Sequence, residues 1–190
     1  MSADFTAARA NMVESQVRTA DVTDLALTDV IRSAPRESLL PPAKAFAAYA
    51  DAEVEYAPGR WLLRPRDISK LLQNLRPKAG ERALAIAAPY AALVLEGMGL
   101  TVERLDEGDL KAVSGADYDL IVSEGAVAKV PDAWTAALKV GGRLGVVERT
   151  GPAGRAMIYV RADDGISGRP VFDSAPPYLQ GFEPARGFAF

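Results

Sequence analysis

The sequence predicts an α/β fold of the doubly wound kind, on three observations. Short apolar runs of strand length alternate with helix-length apolar segments from residue 82 to residue 148. The links between them are a few residues long, which implies parallel strands with helices covering both faces of the sheet. The chain of 190 residues, 49% apolar and 25% charged, suits one core or a core with a small attached subdomain. We divide it into a helical cap with its connecting segment, 1–80, and a sheet domain, 81–190, together forming one compact unit.

Each element has a local reason. Phe5, Arg9, Met12, Val13, Gln16 and Val17 recur at helical spacing among alanines that favour helix. Asp21 to Asp24 reads as a break with an N-cap, and Leu25, Leu27, Val30 and Ile31 carry a second helix. Pro35, Pro41 and Pro42 mark its exit. A short helix over 43–49 leads into an irregular stretch at 53–59. Residues 60–64 are extended, because the residue before Pro65 avoids the α region, and Pro65 opens a helix bearing Ile68, Leu71, Leu72 and Leu75.

Strands then follow at 82–87 (RALAIA), 100–105 (LTVERL), 118–122 (YDLIV) and 143–148 (RLGVVE). An apolar helix over 90–98, closed by Gly99, joins the first two. Residues 109–113 leave room for one helical turn. A helix over 133–138 and a turn at Val140, Gly141 and Gly142 precede the fourth strand. RAMIYVR at 155–161, a turn at Asp163, Asp164 and Gly165, and the run 166–172 predict a hairpin whose second arm is disturbed by Gly168 and Pro170. The aromatics between 182 and 190 offer a further edge strand.

Composition excludes several chemistries. Without Cys there is no disulfide, thiolate nucleophile or thiolate metal site. Without His the commonest general base and the commonest transition-metal ligand are missing, so no metal site is expected and proton transfer falls to Asp, Glu, Lys or Tyr. A net charge of −3 gives no general attraction to nucleic acid or to an anionic membrane. No run of about 18 apolar residues marks a spanning helix, and the opening MSADFTAARANMV lacks the apolar stretch of a signal peptide. A cytoplasmic location is expected.

Five segments, ARANMVESQVRTADVTD, APRESLLPP, RWLLRPRDISKLLQ, YDLIVSEGAVAKVPDAWTAALKVGGRLGVVE and GFEPARGFAF, occur in an order that resembles the protein-L-isoaspartate O-methyltransferases, nearest to their alphaproteobacterial branch. The resemblance implies a Rossmann-like S-adenosylmethionine-methyltransferase sheet with an N-terminal helical cap and a C-terminal antiparallel hairpin. It also implies methylation of the free carboxylate of isoaspartyl residues.

Against the family pattern, this chain is reduced, lacking a strand and helices. Where the family carries an acidic residue and a Gly-x-Gly-x-Gly turn against the cofactor, this sequence reads Ala83, Leu84, Ala85, Ile86, Ala87, Ala88, Pro89, Tyr90. Glycines serve there because main chain must approach the ligand without a Cβ in the way. Tyr90 alone survives, and reads first as a core or helix-start aromatic. Asp106 matches the ribose-binding carboxylate, but without the glycine turn it reads first as a solvated acid beside Glu107. The eleven residues 107–117 can reach about 35 Å and cross back over the first strand, yet cannot supply the missing elements. Leu63 replaces the hydroxyl residue of the acceptor loop, and Ser69 falls too late, inside the helix. Glu124 is the remaining acid after the YDLIV strand, otherwise a loop carboxylate.

Catalysis needs both substrates held in near-attack geometry. The expectation is therefore a degenerate methyltransferase without catalytic residues or cofactor, retained as a binding or scaffold protein. Its candidate surface is Trp61 with Arg60, Arg64 and Arg66, otherwise a solvated helix entrance. The sheet edge left by the missing strand would pair with a second copy or a partner protein. The alternative is an active carboxyl methyltransferase with a rebuilt pocket, in which Tyr90, Asp106 and Glu124 contact S-adenosylmethionine.

Overall fold

A computed structural model of the chain describes residues 5–185. The central sheet has six strands in the order β4-β3-β5-β6-β7-β8: β3 Arg82–Ile86, β4 Thr101–Leu105, β5 Tyr118–Val127, β6 Leu138–Arg149, β7 Gly154–Ala162 and β8 Gly165–Asp173. The first four named run parallel, and β7 and β8 join antiparallel. The α/β expectation and the terminal hairpin are both met.

The N-terminal third is helical, as expected, but less regular. α1, Thr6–Met12, widens into a π turn at Val13–Val17 and tightens into a 3-10 turn that ends at Asp21, whose φ is 63°. α2, Leu25–Ser33, is capped by Asp24, whose side chain accepts from the Leu27 N–H at 3.0 Å. The expected helix over 43–49 is a 3-10 segment, Pro42–Ala47. The stretch taken as irregular is a small hairpin of β1, Val54–Ala57, and β2, Arg60–Leu62. Its two-residue loop is Pro58 and Gly59, where Gly59 supplies the positive φ (65°) such a turn demands. α3, Pro65–Leu75, starts on its proline and buries Ile68, Leu71, Leu72 and Leu75.

The alternation of each strand divides two cores. Ala83 and Ala85 of β3, with Leu120 and Val122 of β5, face the core built from α1, α2, α3 and α4, Pro89–Gly97. Leu84, Ile86 and Ile121 face the other core, at whose centre lies the fully buried Trp134 of α5, Asp132–Ala136. Trp134 donates its Nε1–H to the Leu110 carbonyl at 2.8 Å and packs on Phe182 at 5.5 Å between rings. The connection 106–117 is thus held by the indole and by Arg82, which donates to the Ala116 carbonyl at 2.7 Å. It holds a single hydrogen-bonded turn, Asp109 to Ala112, and not the helical turn expected.

Three further departures have local causes. The turn expected at Val140, Gly141 and Gly142 lies inside β6, where pairing with β5 shifts between Tyr118 and Leu120 and Gly141 takes a φ of 80°. In β8, Val171 is the extra residue where Ala156 pairs Phe172 and Met157 pairs Pro170; Pro170 is tolerated because β8 is an edge. Near the C-terminus, Tyr178 makes a parallel bridge with Ala126, and the part of the expected edge strand beyond residue 185 lies outside the described residues.

Candidate functional site

Ligand sites of open α/β sheets form at the carboxyl ends of the parallel strands. At that end of β5 the pairing with β6 breaks: Val122 pairs with Gly145 and Ala126 with Val147, so four steps along one strand match two along the other. Such a bulge re-aims side chains. Gly125, with a φ of 104°, permits it, and a Cβ there would meet Leu179 at 2.8 Å. The bulge presents Glu124 to the first core. The expectation of a loop carboxylate is corrected: Glu124 sits within the strand and is 0% exposed.

Three segments converge on that carboxylate. Glu124 Oε1 accepts from the N–H groups of Tyr90 at 3.1 Å and Ala91 at 3.0 Å, and Oε2 accepts from the N–H of Leu63 at 2.9 Å. The first turn of α4 is thereby fully accounted for. Pro89 has no N–H, Tyr90 and Ala91 donate to Glu124, and Ala92 donates to the Ala88 carbonyl at 2.9 Å. A helix N-terminus attracts anions through its free donors and its dipole, and here the anion is the chain's own.

Arg36 completes the network. It is 0% exposed, donates from Nε to the Ala48 carbonyl at 2.8 Å and from Nη2 to the Leu63 carbonyl, and lies 4.7 Å over the ring of Tyr90. Leu63 is therefore held on both sides of its backbone, its N–H by Glu124 and its C=O by Arg36. Burial lowers the Arg36 pKa, opposed chiefly by the charge of Glu124; burial raises that of Glu124, opposed by Arg36 and the three N–H bonds.

The bend between β3 and α4 is closed to solvent. Ala87, Ala88 and Tyr90 are all 0% exposed, and Pro89 is buried. Ala87 takes a φ of 45°, a conformation that favours glycine, and donates its N–H to the Leu105 carbonyl at 2.9 Å. Tyr90 lies in the core, its hydroxyl without a hydrogen-bond partner and its pKa raised by burial.

Asp106 is not the solvated acid expected. Desolvation by burial raises its pKa, Arg104 and Arg60 pull against that, and its buried Oδ1 has no hydrogen-bond partner among the described residues. Arg60 Nη1 and Tyr56 Oη are likewise buried and unpaired, and Tyr56 feels both Glu124 and Asp106 electrostatically. The β1–β2 hairpin thus brings a second polar group to the Glu124 side of the sheet, which the sequence reading missed; the Pro-Gly pair was the available signal.

The four residues of the expected surface divide. Trp61 pairs with Glu55 in the hairpin and is half-buried, while Arg60 acts on Asp106 only through its charge. Arg64 and Arg66, at the start of α3, line a cavity of about 810 Å³ together with Glu148 and Arg149 of β6, Arg155 of β7, and Asp67. Arg64 pairs with Glu53 at 2.8 Å, and Arg66 stands 3.5 Å from Asp67 and 3.6 Å from Asp51. Ser69 is buried and donates to the Pro65 carbonyl.

The chain is 30% identical over 182 residues to a protein-L-isoaspartate O-methyltransferase of Methylorubrum extorquens, covering 82% of this chain and 79% of that protein. The chain belongs to the protein-L-isoaspartate O-methyltransferase family. A second member, from Rhodopseudomonas palustris (strain ATCC BAA-98 / CGA009), is 31% identical over 161 residues, covering 70% of this chain and 74% of its own length. Family models give no match. Among solved structures, a candidate family enzyme from Plasmodium falciparum in complex with S-adenosyl-L-homocysteine superposes with a TM-score of 0.72 at 14% identity, covering 94% of this chain and 99% of that one. A protein-L-isoaspartate O-methyltransferase gives a TM-score of 0.71 at 17% identity over 92% of this chain and 67% of its own. At those identities the likeness speaks for the fold alone. Among the described residues no group of three or more Asp, Glu, His or Cys is placed to hold a metal, and no helix is long and apolar enough to cross a membrane.

Proposed function

We propose that this family member has given up methyl transfer and acts as a binding or scaffold protein. The observation that carries the reading is the seating of Glu124 on the first turn of α4. The donors at that helix start are spent on a side chain, and the bend before it has no exposed backbone. A nucleoside with a charged amino-acid tail needs both, so the residues present do not fit S-adenosylmethionine.

A titration tests it directly. A ligand at 100 times its Kd adds about 2.7 kcal/mol to folding stability, worth roughly 5–10 °C in Tm for a domain of this size. No shift is expected with S-adenosylmethionine or S-adenosyl-L-homocysteine, and no heat in calorimetry. A saturable shift of that size with either, and none with adenosine or methionine alone, overturns the proposal.

One observation favours the second reading, an active S-adenosylmethionine-dependent carboxyl methyltransferase with a rebuilt pocket. Asp106 Oδ1, Arg60 Nη1 and Tyr56 Oη are buried polar atoms without partners on the side where Glu124 lies, and such groups call for water or a ligand. The same titration decides between the two.

For a scaffold role, the surface we propose for pairing with a second copy or a partner protein is the β4 edge. Its exposed side chains are engaged in the pairs Arg82–Glu103 and Arg104–Glu96, so association there is salt-sensitive. Light scattering after size exclusion, at low and high salt, is the check; a monomer at high protein concentration in both sinks it.

A further inference from the structure

The parallel strands β5 and β6 end at a second place that the Glu124 network does not reach. The cavity of about 810 Å³ there lies within the usual range for small-molecule sites. Its walls come from the start of α3, the end of β6, the β6–β7 loop, the start of β7 and the chain leaving β8 at 173–175.

Arg64, Arg66, Arg149 and Arg155 line it together with Asp67, Glu148 and Asp173. Arg64 is paired with Glu53, and Arg66 stands near Asp51 and Asp67; Arg149 differs from both. Arg149 has no carboxylate within ion-pair reach among the described residues. It donates from Nε to the Gly151 carbonyl at 2.6 Å and from Nη1 to the Pro176 carbonyl at 2.9 Å, and lies 5.0 Å over the Tyr178 ring. Neutral carbonyls fix this guanidinium in place and leave its charge unopposed. Arg155 is only loosely paired, 3.8 Å from an exposed Asp173. On the other side, Asp67 accepts from the Ser174 hydroxyl at 2.7 Å, which occupies one of its oxygens.

We infer that this cavity binds a small organic anion carrying one or two oxyanionic groups, a carboxylate or a phosphate, with Arg149 as the fixed anchor and Arg66 and Arg155 closing on it. Guanidinium groups suit either oxyanion through paired N–H donors. The inference rests on the reading of the chain as a binding protein and names the ligand chemistry of that role. Loss of methyl transfer is tested by the cofactor titration and ligand capture by the one below, so the two fail separately.

The experiment is calorimetry on the full chain with two probes, inorganic phosphate and succinate. Saturable binding of at least one, with Kd below about 1 mM, is expected, and the tighter probe identifies the oxyanion. Arg66→Gln and Arg155→Gln sit on half-exposed or exposed side chains, and circular dichroism verifies that both variants fold. Each should weaken binding about tenfold, whereas Arg18→Gln, on an exposed side chain outside the cavity, should leave it unchanged. No heat from either probe up to about 10 mM overturns the inference. So does an equal loss in Arg18→Gln, or unaltered binding in both cavity variants.

Discussion

Glu124→Ala is the most informative single change. It removes the acceptor of three buried N–H groups, those of Leu63, Tyr90 and Ala91, and leaves Arg36 with no buried counter-charge. A buried donor without a partner costs about 1–3 kcal/mol, and breaking a buried ion pair from one side costs about 3–5 kcal/mol. These overlap and do not sum, because water entering the vacated space recovers part of the hydrogen bonding. A net loss of about 4 kcal/mol is expected, a large part of the roughly 5–15 kcal/mol that holds a domain folded. Urea unfolding followed by circular dichroism measures it, with Arg36→Met and the double variant completing a cycle. Removing Arg36 as well eliminates the stranded charge, so the double variant should be less damaged than the sum of the singles, with a coupling of about 2 kcal/mol. A loss under about 1 kcal/mol for Glu124→Ala, or a coupling within about 0.5 kcal/mol of zero, would refute the view that this pair joins the three segments.

Arg76 closes α3 in the left-handed region at a φ of 50°, so Arg76→Gly should stabilise the fold by about 0.5–1 kcal/mol, read as a higher urea midpoint at unchanged m-value. A Cβ at Gly145 would approach Leu75 Cδ1 at 2.8 Å and Leu71 Cδ1 at 3.1 Å; Gly145→Ala should therefore cost about 1–3 kcal/mol by pushing α3 off β6, lowering Tm. Burial raises the pKa of Glu81, but the paired bonds from Arg143 at 2.8 and 2.9 Å and the Lys78 N–H outweigh it and hold the group below its ordinary 4.5. A lowered carboxylate pKa contributes stability above the unfolded value that is lost as pH falls through the folded one. Glu81→Gln should thus cost about 1 kcal/mol at pH 7, after allowance for solvent screening, and the difference from wild type should shrink as pH falls below 4.5 toward the lowered folded-state value in parallel urea titrations.

The sheet was legible because its signal is local. RALAI, YDLIV and RLGVV are apolar runs bounded by turn residues, and α3 and α4 open on prolines whose preference for the first helical turn is sterically fixed. The β1–β2 hairpin was not legible from periodicity, since strands of four and three residues are too short to show a period. The candidate site was readable only as a deficit. Missing glycines at Ala87 to Tyr90 could be seen in the residues, but what fills their place could not. Glu124 and Arg36 are 88 positions apart by number, and their meeting depends on a strand bulge and on the path of Leu63 between them. Nothing in the pattern around Arg36 distinguishes it from a surface arginine, and only tertiary packing places it in the interior. The split of the arginine cluster has the same origin. Arg60, Arg64 and Arg66 are neighbours along the chain, and the fold keeps the first, in β2, out of the cavity that the others line.

A helix start that holds a diffusible anion gains stability in proportion to how much of that anion the solution contains. The carboxylate on α4 is tethered through the backbone of β5, so its local concentration is fixed by geometry and does not change with dilution or metabolite supply. The stability that this contact contributes should therefore be unchanged by dilution or dialysis.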